Sequence, residues 1–289
     1  MSRDDQARAL ELAKKAWDRD PHNSKFGILL GQIYLNGGQV KAALEISRRM
    51  MTSHPAPGPL MLQARALERL GETQKALDVL AEYLQRHPDD RKILKIAANI
   101  AAHHQKYISL AVTYYKRLYA LDHDRQVRRL LVKLLASQDR YQEAIALQKE
   151  EVAESPGDQE ALHYLALLHY WQRDYQAASD TYQRLLEKGA SDSALRLEAA
   201  KAAEAAHDRE RALNQYLWLY ARHQGEKQYA LALARLWAQK GNHAEAAGVL
   251  APLMRQHPDP QLRRWYALEL LLIGKFNQAQ KEYHQAWVD

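Results

Sequence analysis

Small and apolar positions along this chain repeat on two scales at once. Within short windows apolar residues recur three and four apart, as in Leu30, Gly31 and Tyr34 or Leu162, Leu165 and Ala166, which is the spacing of one helix face. Across longer windows an alanine returns at Ala9, Ala43, Ala76, Ala111, Ala144, Ala178, Ala212, Ala246 and Ala279, every 33 to 35 residues. Twelve residues before it stands a small residue in most units: Gly31, Ala64, Ala166, Ala200, Ala234 and Ala267. Five before it stands Gly38, Gly71, Gly241 or Gly274, and twelve after it Pro21, Pro55, Pro88, Pro156 or Pro258. Paired small residues let two antiparallel helices approach closely, the glycine supplies a turn between them, and the proline, lacking an N–H, ends the second helix. The pattern predicts about 17 helices.

The period and the placement of its small residues resemble the tetratricopeptide repeat (TPR), whose 34-residue helix–turn–helix carries small residues at its eighth and twentieth positions and proline near its thirty-second. The resemblance covers essentially the whole chain and implies an all-α, right-handed superhelical solenoid. Residues 1–23 are read as a lone second helix, about Asp5 to Arg19, of a truncated repeat. Residues 24–289 are read as eight units in one continuous solenoid, starting near Ser24, Pro57, Arg91, Arg125, Gln159, Ser193, Lys227 and Pro260. The third unit carries one extra residue around His104 to Lys106, and His123, Ala190 and Gln224 stand where proline is expected.

Composition narrows the chemistry. A chain of 289 residues, 47% hydrophobic and 26% charged, can bury a sizeable core. It has no cysteine, which excludes disulfides, thiolate metal sites and Cys nucleophiles. No signal peptide or membrane-length apolar run is visible, so no direct membrane insertion by this segment is expected. The 13 histidines lack ligand spacing: His103 and His104 are adjacent, and His163 and His169 are six apart. Asp122-His123-Asp124 and Asp89-Asp90 fall at repeat boundaries and read as helix caps. No phosphate-cradling or nucleophile-elbow motif occurs. No catalytic residue, metal or cofactor is expected. Tyr115, Tyr182, Tyr216 and Tyr283, each four residues after a framework alanine, read as core.

Charge supplies the candidate site. In a TPR superhelix the first helices line a concave surface, and repeat positions 2, 5, 9 and 12 share that face. There the chain carries Lys25, Arg65, Lys92, Lys95, Arg129, Lys133, Lys201, Arg235 and Arg264 against only Glu68, Glu160 and Glu204. The whole net charge of +6 is thus assigned to one surface. A basic groove attracts acidic partners. Lys95 and Asn99 match two positions of the family's carboxylate clamp for chaperone C-termini, but Leu130 and Glu160 break the match, leaving a general preference for acidic segments. Tyr164, Tyr170 and Trp171 fall towards the inner face or its edge, as apolar anchors for a partner. Few inward aromatics offer a stacking platform, so nucleic acid is not the expected ligand.

The expected function is a non-catalytic scaffold binding a partner protein or an acidic segment of one, with an anionic polymer or oligosaccharide along the groove as the alternative. In texture the chain is similar to periplasmic repeat regions of PelB-type exopolysaccharide exporters. That resemblance implies a periplasmic location, as part of a longer outer-membrane protein, and recruitment of a polysaccharide-modifying enzyme. The chain reads as an excerpt of a longer solenoid, whose uncapped ends are expected to self-associate.

Overall fold

The computed structural model describes residues 3–53, 56–190, 192–223, 226–256 and 259–288, leaving aside the side chains of residues 3–6, 53 and 288. Pro55, Gln224 and Pro258 of the repeat pattern lie outside the described residues. Among the described residues the fold is all-α, with 17 α-helices and no strand. The chain divides into two compact units, Met1–Arg140 and Tyr141–Asp289.

The first unit holds α1 (Arg3–Arg19), α2 (Ser24–Asn36), α3 (Val40–Ser53), α4 (Pro57–Arg69), α5 (Thr73–Arg86), α6 (Arg91–Ala102), α7 (Ile108–Asp122) and α8 (Arg125–Ala136). Each helix packs on the next, and α4 also packs on α2 and α6. The second unit holds α9 (Tyr141–Glu154), α10 (Gln159–Trp171), α11 (Tyr175–Glu187), α12 (Ser193–Ala205), α13 (Arg209–Arg222), α14 (Lys227–Gln239), α15 (His243–Gln256), α16 (Pro260–Leu272) and α17 (Phe276–Val288), again with neighbours in sequence packed together. The extra residue of the third repeat is absorbed by a 3-10 turn, Gln105–Tyr107, between α6 and α7.

The alanine framework is the core. Ala43, Ala76, Ala111, Ala144, Ala178, Ala212 and Ala246 have no exposed surface, nor do Ala64, Ala166, Ala200, Ala234 and Ala267 opposite them. At Gly31 even a methyl group is too large, because a Cβ there would overlap the buried side chain of Leu62. Close approach of helix axes is therefore set by the smallest side chains, as ridge-and-groove packing requires.

Helix starts are marked by acidic or amide caps. The side chains of Asn23, Asp90, Asp124, Asp158, Asp192 and Asp259 each accept a hydrogen bond from a backbone N–H in the first turn of α2, α6, α8, α10, α12 and α16. Each such cap is worth about 1 kcal/mol. The two acidic pairs of the sequence are split in role. Asp90 and Asp124 cap helices, whereas Asp89 meets Arg117 at 3.3 Å and Asp122 meets Arg91 at 2.6 Å. Those two are ion-pair partners rather than caps, because Asp90, next to Asp89, and Asp124, two residues after Asp122, already fill the cap positions.

The turn inside seven of the eight helix pairs is made at a left-handed residue, the α6–α7 pair using its 3-10 turn instead. Gly38, Gly71, Gly241 and Gly274 take φ of 75° to 80°, as the pattern predicts. The same position, five before the framework alanine, is Asp139, Arg173 or His207 in three repeats, and these too are left-handed, at φ of 57°, 66° and 60°. A side chain with a Cβ pays for that conformation with about 1–2 kcal/mol, part of which glycine gives back through its freer unfolded chain. Arg173→Gly and His207→Gly are therefore expected to stabilise the fold by roughly 0.5–1 kcal/mol each. Urea denaturation followed by circular dichroism measures this, and a loss of stability in both variants would contradict the turn geometry.

Among the described residues, one histidine belongs to the core. His169 on α10 is buried, and burial holds its imidazole below the usual histidine range, opposed by Asp174 at 3.6 Å and reinforced by Lys149. Neutral His169 is thus the packed form.

Candidate functional site

The basic residues picked out by the repeat register lie on exposed helix faces, but they fall in two sets. Lys25 on α2, Arg65 on α4, Lys92 and Lys95 on α6, and Arg129 and Lys133 on α8 belong to the unit Met1–Arg140. Lys201 on α12, Arg235 on α14 and Arg264 on α16 belong to the unit Tyr141–Asp289. The sets also differ in how far their charge is already answered.

In the first unit, Lys25, Arg65, Lys92, Lys95 and Lys133 have no side-chain partner among the described residues. Lys92 and Lys95 stand three apart on α6, and Arg129 and Lys133 four apart on α8, so each pair shares one helix face. The acidic member of this face, Glu68, is engaged by His103 Nδ1 at 3.2 Å. Asn99, one turn beyond Lys95, is held from below. The buried Tyr115 on α7 donates its hydroxyl hydrogen to Asn99 Oδ1 at 2.5 Å, which leaves the amide NH₂ to face outward chemistry. Burial also pushes the Tyr115 phenol up, so the hydroxyl remains a donor.

In the second unit the charges are largely spent internally. Arg235 lies 3.5 Å from Glu204, which also accepts from the Tyr216 hydroxyl at 3.1 Å. Arg264 lies over the Trp287 ring at 5.5 Å. Lys201 has no side-chain partner among the described residues. Glu198, outside the positions counted from the sequence, joins His163 Nε2 at 2.5 Å and accepts from the Tyr182 hydroxyl at 3.1 Å. Burial, then the Glu198 charge, pushes the Tyr182 phenol strongly up.

The core tyrosines thus have a second task that the sequence reading did not assign. Tyr115, Tyr182 and Tyr216 are buried as expected, yet their hydroxyls reach polar side chains of the first helices and orient them. The available signal was their constant place four residues after the framework alanine.

The aromatic candidates separate. Tyr164 and Trp171 meet edge to face at 6.1 Å, and Tyr141 joins Trp171 at 6.3 Å. Trp171 remains 43% exposed. Tyr170 instead packs on Tyr175 at 5.4 Å. Tyr164, Tyr170 and Trp171 are therefore not one cluster, since adjacent helical residues such as Tyr170 and Trp171 point about 100° apart. Among the described residues, no three His, Asp or Glu side chains converge as metal ligands, and no helix is long and apolar enough to cross a membrane.

Helix pairs of nearly constant period, packed through alanine and turned in all but one at a left-handed residue, define a helical-repeat protein. The chain belongs to the tetratricopeptide repeat family. Family profiles described as tetratricopeptide repeat match residues 1–57, 57–100, 108–159 with 197–259, and 160–188. Tetratricopeptide repeat protein 21B of Xenopus laevis is 26% identical over 158 residues, which are 54% of this chain and 12% of that protein. The chain spans only about one eighth of that relative's length. Among solved structures, a chain from the structure of Naa15/Naa10 bound to HypK-THB superposes with a TM-score of 0.73 at 15% identity, covering 91% of this chain and 41% of its own. That likeness shows the fold.

Proposed function

We propose that this chain is a non-catalytic scaffold of one lone second helix followed by eight repeat units, and that it holds an acidic segment of a partner protein against the first-helix face of the unit Met1–Arg140. The observation that carries the reading is the set of exposed lysines on α6 and α8, Lys92, Lys95 and Lys133, which no carboxylate among the described residues engages. Unanswered cations on a rigid helix face attract and steer acidic ligands without having to break internal ion pairs first. Asn99, oriented by Tyr115, adds a neutral donor beside them. Membership of a family of interaction scaffolds supports the same reading.

The test is the double charge reversal Lys95→Glu with Lys133→Glu, compared with Lys41→Glu with Arg48→Glu on the second helix α3. The first pair is expected to weaken binding of an acidic peptide by about tenfold or more and to flatten its salt dependence. The second pair should leave both nearly unchanged. Equal losses from the two pairs would remove the assignment to this face.

The finer reading, recruitment of a periplasmic polysaccharide-modifying enzyme during exopolysaccharide export, rests on residue texture alone. A pull-down from envelope and cytoplasmic extracts tests partner and compartment together. In the alternative reading, an anionic polymer binds the same lysines. Affinity that rises with oligosaccharide length would favour the polymer, and saturation at one folded protein per chain favours the scaffold.

A further inference from the structure

The second unit contains a comparison within itself. Arg196 on α12 and Arg263 on α16 stand at the same place in their repeats, three residues after the helix starts Ser193 and Pro260. Facing them, three residues after the framework alanines Ala212 and Ala279, stand Gln215 and Glu282. Arg263 Nη1 donates to the carboxylate of Glu282 at 3.0 Å. Arg196 Nη1 donates to Gln215 Oε1 at 2.7 Å, so it meets an amide with no charge. In both arginines the buried Nε atom makes no hydrogen bond, and the acceptor facing Nη1 is a carboxylate in one place and an amide in the other.

A second cation is added at the place that lacks the carboxylate. The guanidinium of Arg196 lies 4.3 Å from the centre of the Trp218 ring, and that of Arg222 lies 4.4 Å from the same centre. Neither arginine has a carboxylate partner among the described residues. Burial, and after it the charge of Arg222, disfavours the charged form of Arg196. Two like charges sharing one indole repel each other in a partly desolvated setting, and the ring's negative face and the Gln215 amide oxygen offset this without a neutralising charge. A guanidinium stacked on an aromatic ring is held by its face, and its N–H edge stays available for a carboxylate.

We infer that Arg196, Trp218 and Arg222 form a docking site for a carboxylate of an acidic protein segment, separate from the lysine face proposed above. The class of ligand follows from Arg263, which in the equivalent place takes the carboxylate of Glu282. Gln215 keeps Arg196 in position while leaving the charge for the partner.

The experiment uses the full chain and a peptide of alternating Glu and Gly with both ends blocked, titrated at low salt. The indole N–H signal of Trp218, assigned by its loss in Trp218→Phe, should shift saturably. Gln215→Glu supplies the missing carboxylate internally and should weaken that titration about tenfold, the scale of one charge-assisted hydrogen bond. Lys95→Glu with Lys133→Glu should leave the Trp218 titration unchanged, so failure here and failure of the lysine face are told apart. If Gln215→Glu loses its cooperative melt, Arg222→Gln carries the test, with the same expected weakening. A Trp218 signal that does not move at saturating peptide, or an unchanged affinity in the folded variant, overturns the site. Inorganic phosphate that binds more tightly than the peptide overturns the assignment to a carboxylate.

Discussion

Tyr182→Ala is expected to destabilise the repeat array by about 3–5 kcal/mol, the usual cost of removing a buried aromatic side chain. Tyr182 is 1% exposed and sits four residues after Ala178 on α11. Its ring fills the space between α10, α11 and α12, and its hydroxyl donates to Glu198 Oε2 at 3.1 Å. Removing the ring opens a cavity in a close-packed core, which the neighbouring helices close only in part. Tyr182→Phe keeps the ring and should cost only about 1 kcal/mol, because Glu198 retains His163 as a partner. Urea denaturation by circular dichroism separates the two. If alanine costs no more than phenylalanine, the ring is not held as described. Because each repeat touches only its neighbours, the loss should appear first as faster amide exchange in α10 to α12.

Glu269→Ala is expected to cost about 3 kcal/mol, the lower end for breaking a buried charged network from one side. Glu269 on α16 is 2% exposed. One carboxylate oxygen meets His243 Nδ1 at 2.7 Å, and the other accepts from Trp265 Nε1 at 2.7 Å. The alanine variant leaves the partly buried indole N–H of Trp265 without its acceptor and His243 without its counterpart. Glu269→Gln keeps an acceptor for Trp265 and should lose about 1 kcal/mol. The check is again chemical denaturation, joined to amide exchange in α15 and α16. Equal stability of the alanine variant and the unaltered chain would show that this network does not tie α15 to α16.

Much of the fold was legible because its rules are local. A framework alanine every 33 to 35 residues, with a small residue opposite and a turn residue between, is a steric statement that needs no long-range information. The structure adds that the left-handed turn persists where glycine is absent, at Asp139, Arg173 and His207, which lie at the register position of Gly38 and Gly71. Asp89 and Asp122 show where local reading stops. Their neighbours Asp90 and Asp124 are caps by spacing alone, but Asp89 and Asp122 find Arg117 and Arg91, which lie 28 and 31 residues away.

The candidate site was legible as a list of residues but not as chemistry. Exposure of Lys95, Lys133 and Arg235 follows from helix phase, which the sequence carries in its 3.6-residue period. Whether each charge is free does not. Arg235 is answered by Glu204 from the preceding repeat, Glu198 by His163, and Arg196 by an amide where Arg263 has a carboxylate. By itself, then, the sequence determined the helices, their pairing and the faces they expose, because those depend on side-chain size and periodicity. Only the tertiary structure decided which cations remain for a partner, because neutralisation depends on distances of a few ångströms between side chains of adjacent repeats, and no spacing along the chain encodes them.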